Sequence, residues 1–298
     1  MANKSTYVKR PDWLKIKLRT DGHFNEIRQL MSSQQLNTVC EEARCPNIYE
    51  CWSRKTATIM ILGDTCTRAC GFCSVKTGKP PVYDKMEPLR TANAVKEMGL
   101  NHVVITSVDR DDLKNDFGAI IWAETINQIH RIAPDCTVEV LTPDFQGHLP
   151  SLNKVFEAQP EIFSHNVECV ERISKQVRTQ SIWQRTKSVL EASIEFGLLT
   201  KTGLMVGLGE RDSEVLETMQ EMANLGVEIF NVGQYLQPTK EHLAVDRFVH
   251  PDVFEMFKEK GLAMGFKVVE SGPLVRSSYH ADEQAKMYGV KSNYAKNN

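Results

Sequence analysis

The chain has 298 residues, 41% apolar and 25% charged, with eight cysteines and a formal net charge of -2. Such a composition suits a well-buried globular protein and excludes disorder as the starting assumption. A near-neutral balance supplies no long-range field to draw nucleic acid or an anionic membrane, so neither is an expected partner.

The first residues, MANKSTYVKRPDWLKIKLRT, are basic but contain no apolar run of secretory type, and runs such as TIMIL are too short to span a bilayer. A cytoplasmic location is therefore expected. In a reducing compartment, clustered cysteines read as metal ligands or catalytic thiols rather than as disulfides. Residues 1–55 form an extension with Cys40, Cys45 and Cys51 spaced C-x4-C-x5-C in NTVCEEARCPNIYECW. Scattered core thiols do not concentrate in this way, but the spacing fits iron–sulfur and zinc equally well.

From residue 56 onward, short β-rich runs alternate with longer amphipathic ones, which predicts strands at 56–62, 102–108, 137–141, 161–165, 202–206 and 229–235. A further run covers 266–270. Helical patterns lie at 91–100, 117–133, 181–197 and 213–226, stopped by Gly99, Pro134, Gly197 and Gly226. Repeats of this length, with no G-x-G-x-x-G after the first strand, predict an α/β fold of the partial (β/α)6 TIM-barrel type over residues 56–245. Residues 1–55 and 246–298 are then N- and C-terminal extensions, the latter holding a helix and the sequence VRSSYH packed on the barrel.

Cys66, Cys70 and Cys73 follow the first strand in GDTCTRACGFC, spaced C-x3-C-x2-C. Three thiolates on an iron–sulfur cluster leave one iron open to a substrate. A zinc knuckle or a redox C-x-x-C pair is the alternative for three nearby cysteines, but the C-terminal end of a barrel strand is a catalytic location and no fourth zinc ligand follows. Thr106 and Ser107 in ITSVDRDD, and Asn166 and Glu168 in SHNVE, sit at strand ends that face the barrel mouth. Asp109, Asp111 and Asp112 read as exposed loop charge, and Cys136 and Cys169 as small buried apolar residues. Arg172, Lys175 and Arg178 recur every third residue and predict a basic helical stripe.

The form C-x3-C-x-F-C, with Phe72 before the last cysteine, resembles the radical S-adenosylmethionine superfamily. Both cysteine motifs together, with CEEARCPN, ECW, PDWLKIK, TGLMVGLGE and RSSYH, resemble the lipoyl synthase family over almost the whole chain. The resemblance implies a radical-generating [4Fe–4S] cluster on Cys66, Cys70 and Cys73 that chelates S-adenosylmethionine. Phe72, Thr106, Ser107, Asn166 and Glu168 are implied to contact that cofactor. It also implies an auxiliary [4Fe–4S] cluster on Cys40, Cys45, Cys51 and a serine of RSSY, with Ser278 preferred over Ser277. Tyr49 stands where many family members carry glycine.

The implied reaction inserts two sulfur atoms, at the sixth and eighth carbons of an octanoyl chain carried on a protein lysine. It consumes two S-adenosylmethionine molecules and takes sulfur from the auxiliary cluster. Implied partners are the lipoyl carrier protein, or the lipoyl domain of 2-oxoacid dehydrogenase or glycine cleavage complexes, a low-potential donor such as ferredoxin or flavodoxin, and an iron–sulfur carrier for cluster repair. The basic stripe would dock an acidic carrier domain. Alternatives are another sulfur-inserting enzyme of the superfamily, of biotin synthase or methylthiotransferase type, and a zinc-stabilised binding module.

Overall fold

Parallel strands covered by helices on one face and by a filled interior on the other are mostly apolar. In the computed structural model, which describes residues 10–14, 22–43, 45–53, 58–292 and 294–295, the expected runs form such strands, with Glu139 and Lys201 as a buried ion pair of 2.9 Å among them. Thr58–Ile61 (β1) is buried at every position, and it pairs in parallel with His102–Ser107 (β2). Thr137–Leu141 (β3), Ile162–Ser164 (β4), Thr200–Val206 (β5), Ile229–Gln234 (β6) and Val268–Gly272 (β7) follow in spatial order. All these neighbours are parallel. The run at 266–270 thus becomes a seventh strand, so the barrel sheet continues past residue 245. Residues 56 and 57 of the first expected strand lie outside the described residues.

The N-terminal extension contributes Gly22–Ser33 (α1), Val39–Glu42 (α2) and Ile48–Ser53 (α3). It is stitched to the barrel by Asn37–Thr38, which pairs antiparallel with β1 at Met60 and Ile59. Thr38 then caps α2 by accepting the N–H of Glu41 at 3.3 Å, which sets where Cys40 falls. Tyr49 lies on α3 and stacks on Phe24 of α1 with ring centroids 5.2 Å apart, while Trp52 is fully buried in the main core.

Around the sheet run Glu87–Met98 (α4), Ala119–Ile132 (α5), Leu149–Glu157 (α6), Glu171–Val177 (α7), Trp183–Glu195 (α8), Asp212–Leu225 (α9) and Pro251–Met264 (α10), with Ala281–Tyr288 (α11) near the end. The four helices expected from periodicity are α4, α5, α8 and α9. Gly99 and Gly226 close α4 and α9 in the left-handed conformation, as those stop signals require. Among the described residues no helix is long and apolar enough to cross a membrane.

Among the described residues no ladder joins β7 back to the Asn37–Thr38 edge, so the barrel is open on one side. The chain after β7 turns back across it. Gly233 of β6 permits this, because a Cβ there would stand 2.1 Å from the carbonyl oxygen of Val275. Asn231 donates its amide to the carbonyls of Arg276 at 3.4 Å and Ser277 at 3.1 Å. The two extensions then meet. Asn47 donates to the Leu274 carbonyl at 2.7 Å, and Glu50 faces the Tyr279 hydroxyl at 3.3 Å and His280 at 3.1 Å.

Candidate functional site

Two groups of cysteines occupy different parts of this frame. Beyond β1 the chain turns through Leu62 and Gly63, both at positive φ, into the loop carrying Cys66, Cys70 and Cys73. The loop is held from outside. The N–H of Gly71 donates to Val177, its carbonyl accepts from Leu243, and the Nε2–H of His242 donates to the Cys73 carbonyl at 2.9 Å. Gly71 is required here, since a Cβ would meet Leu243 Cγ at 2.8 Å. Phe72 packs against the apolar cluster that contains Val177 and Leu190. The Cys66 sulfur accepts the N–H groups of Arg68 and Asp109, each at 3.4 Å. Burial raises all three thiols, Cys70 to about 11 and Cys73 to about 12. Buried thiols of this kind become thiolates when a metal supplies the compensating charge, so the donor set fits an iron–sulfur cluster with one open iron.

Of the acidic run only Asp112 is exposed loop charge, paired with Arg110 at 2.8 Å. The Asp109 and Asp111 side chains are only 18 and 20% exposed, because Arg68 claims them. Arg68, inside the cysteine loop, reaches Asp109 at 3.2 Å, Asp111 through two bonds of 2.7 and 2.8 Å, and Asp144 at 2.7 Å. Burial alone would raise Asp144, but the Arg68 guanidinium holds its carboxyl far below the ordinary range. This network ties the loop to the ends of β2 and β3.

Nor do Arg172, Lys175 and Arg178 form one stripe. Arg172 and Lys175 are both exposed on α7, Arg172 bonded to Glu214 at 2.6 Å. Arg178 follows the end of α7 in extended backbone and turns inward, its Nη1 3.5 Å from the Asn166 carbonyl and its charge felt by both Glu168 and Cys70. Glu168 itself is raised by burial, and Asn166 donates to it at 3.3 Å. A half-buried arginine and a carboxyl thus act on Cys70, with the Asn166 amide bonded to that carboxyl, a set suited to an amino-acid ligand. Thr106 and Ser107 spend their hydroxyl protons on the carbonyls of Leu141 and Val108, each at 2.8 Å.

The second group converges on a recess of about 450 Å³, counting its open mouth, lined by Cys40, Cys45, Cys51 and Ser278 together with Thr58 and Arg276. Burial pushes Cys40 up to about 12 and raises Cys45. The two serines of RSSY diverge. Ser278 faces the recess and accepts from the Thr58 hydroxyl at 2.6 Å, while Ser277 accepts from Asn166 at 2.6 Å. Among the described residues no three such ligands crowd together as around a single ion, and the eight cysteines form no disulfide. Three thiols and a hydroxyl lining one recess are a donor set that an iron–sulfur cluster can use. Cys136 and Cys169 are buried at 1% and 0%, as expected of core residues.

Sequence reading missed Thr58, Arg68 and His242, and it gave Arg178 a docking role in place of its position near Cys70. Only Arg68 carried a signal, as a cation placed between two clustered cysteines.

Residues 60–222 match the family model of the Radical SAM superfamily, and residues 1–45 that of the N-terminal domain of lipoyl synthase of the Radical SAM family. The lipoyl synthase of Oceanobacillus iheyensis is 52% identical over 95% of this chain and 91% of its own length. The chain belongs to the lipoyl synthase family. The family member from Symbiobacterium thermophilum is 53% identical over 93% of this chain and 87% of its own.

Solved structures share the fold. Methylornithine synthase has a TM-score of 0.54 at 13% identity, covering 83% of this chain and 82% of that one. Streptococcus suis SuiB bound to S-adenosylmethionine has 0.58 at 12%, covering 89% and 65%. Lipoyl synthase activity is radical-driven sulfur insertion on a lipoyl-carrier substrate, and membership of the superfamily brings a [4Fe–4S] cluster and S-adenosylmethionine. The radical-enzyme fold and sulfur insertion expected from the sequence therefore stand, and the zinc-module alternative is set aside.

Proposed function

We propose that Cys66, Cys70 and Cys73 hold the radical-generating cluster and that Cys40, Cys45, Cys51 and Ser278 hold an auxiliary [4Fe–4S] cluster, the sulfur source. The observation that carries this reading is the convergence of Ser278 with three cysteines more than two hundred residues earlier on one recess. S-adenosylmethionine, bound and reduced by one electron, supplies a 5′-deoxyadenosyl radical that takes hydrogen from carbon.

The chain's own residues supply the rest. Arg178 offers a guanidinium to the cofactor carboxylate, and Asn166 and Glu168 offer polar contacts to its amino-acid part or ribose. Thr106 and Ser107 retain only acceptor capacity toward it, and Phe72 packs behind the loop. Arg68 fixes the loop so that its thiols keep their geometry. The segment carrying RSSY closes the open side of the barrel, which limits water and stray hydrogen donors near a carbon radical.

In this reading residues 1–55 and the segment that follows β7 are the auxiliary-site extensions of the barrel. The substrate is an octanoyl group on a carrier lysine, modified at its sixth and eighth carbons at the expense of two S-adenosylmethionine molecules. A ferredoxin- or flavodoxin-like donor supplies electrons, an iron–sulfur carrier restores the consumed cluster, and the enzyme works in the cytoplasm. The test is a single turnover on an octanoyl carrier domain after reconstitution with isotopically heavy sulfide. Heavy sulfur in the product supports the auxiliary cluster as donor. Product carrying only sulfur of natural abundance refutes it.

A further inference from the structure

Thr58 opens β1, is 5% exposed, and pairs in register with Val104 of β2. On a pleated strand every second residue shares a face. Thr58, Val104 and His102 accordingly line the same recess as the three cysteines. From this rigid position the Thr58 hydroxyl donates to Ser278 Oγ at 2.6 Å, across 220 residues of sequence. The neighbouring Ser277 is instead held by the side-chain amide of Asn166 at 2.6 Å.

We infer that Thr58 is a positioning residue of the sulfur-donating site, whose hydroxyl aims Ser278 Oγ into the recess and, by hydrogen bonding to that oxygen, weakens it as an iron ligand. The inference rests on the reading that Ser278 is the fourth ligand. A donor to a coordinated oxygen withdraws electron density from it, which loosens the metal–oxygen bond and favours the reduced cluster. A ligand that must release its iron when sulfur leaves benefits from such a partner.

The test uses the full chain with Cys66, Cys70 and Cys73 changed to alanine, reconstituted so that only the auxiliary cluster is present. Its midpoint potential is followed by reductive titration with electron paramagnetic resonance. Thr58→Val keeps the branched shape that a strand favours but removes the donor. It is expected to shift the potential downward and slow iron loss to a chelator, while Thr58→Ser stays near the parent. The shift is expected to vanish when Ser278→Ala is added, which a merely structural effect would not do. If Thr58→Val does not assemble the cluster, Thr58→Ala reads the same quantity. An unchanged potential in Thr58→Val, beside a changed one in Ser278→Cys, overturns the role of Thr58 and leaves Ser278 as ligand. If Ser278→Cys changes nothing either, the ligand reading falls and takes this inference with it.

Discussion

Asn47, from the first fifty residues, donates its side-chain amide to the carbonyl of Leu274 at 2.7 Å, joining two extensions 227 residues apart. Asn47 is 4% exposed and Leu274 is half-buried. Removing the amide deletes this partly shielded hydrogen bond, at a cost of about 1 kcal/mol. Asn47→Ala is expected to lower the iron retained by the auxiliary site after desalting and to leave the radical site filled. Mössbauer spectra of the two populations check this, and equal losses from both sites would contradict it.

Gly233 is the point where the returning segment touches the sheet. A Cβ would meet the Val275 carbonyl at 2.1 Å, so backbone must move. Overpacking of this kind costs about 1–3 kcal/mol. Gly233→Ala is expected to lower the thermal midpoint and to impair auxiliary-site assembly, because Arg276, Ser277 and Ser278 follow directly. Gly78→Ala, where the new Cβ meets Thr65 at an ordinary 3.6 Å, serves as the neutral control.

Arg68 has a 4% exposed side chain facing three carboxylates. Arg68→Met leaves that group without its cation, for which a destabilisation of about 3–5 kcal/mol is expected. Arg68→Lys retains charge but not the bidentate bond to Asp111, and should fall between. Chemical denaturation gives the stability, and loss of iron from the radical site ahead of the auxiliary site gives the local effect.

Glu214 supplies a pH-dependent contribution. It accepts from Arg172 and from the N–H of Arg211 at the start of α9, and these bonds depress its carboxyl to about 2 from an ordinary 4.5. A depressed acid stabilises the fold above its unfolded value, and the contribution fades as pH falls from about 4.5 toward 2. Glu214→Gln should therefore flatten the stability profile in that window. Parallel profiles for parent and variant would contradict the assignment.

Strands and cysteine motifs were legible because their signals are local. Buried parallel strands read as apolar runs, and Gly99 and Gly226 mark helix ends by the left-handed backbone they permit. Asp109 and Asp111 were misread because their counter-ion, Arg68, is distant in sequence, 43 residues from Asp111. Arg178 was misread because a three-residue period assumes that the helix continues, whereas α7 ends at Val177. The pairing of Thr58 with Ser278 is a product of the chain's return across the open barrel, and no spacing encodes it.

The central claim is a second cluster held between the two ends of the chain. Iron and sulfide analysis with Mössbauer spectra, on anaerobically reconstituted parent and on Cys40→Ala/Cys45→Ala/Cys51→Ala, tests it most directly. About eight irons in the parent and about four in the variant are the result expected of two [4Fe–4S] clusters. About four in both, or zinc in place of iron at the recess, would contradict it.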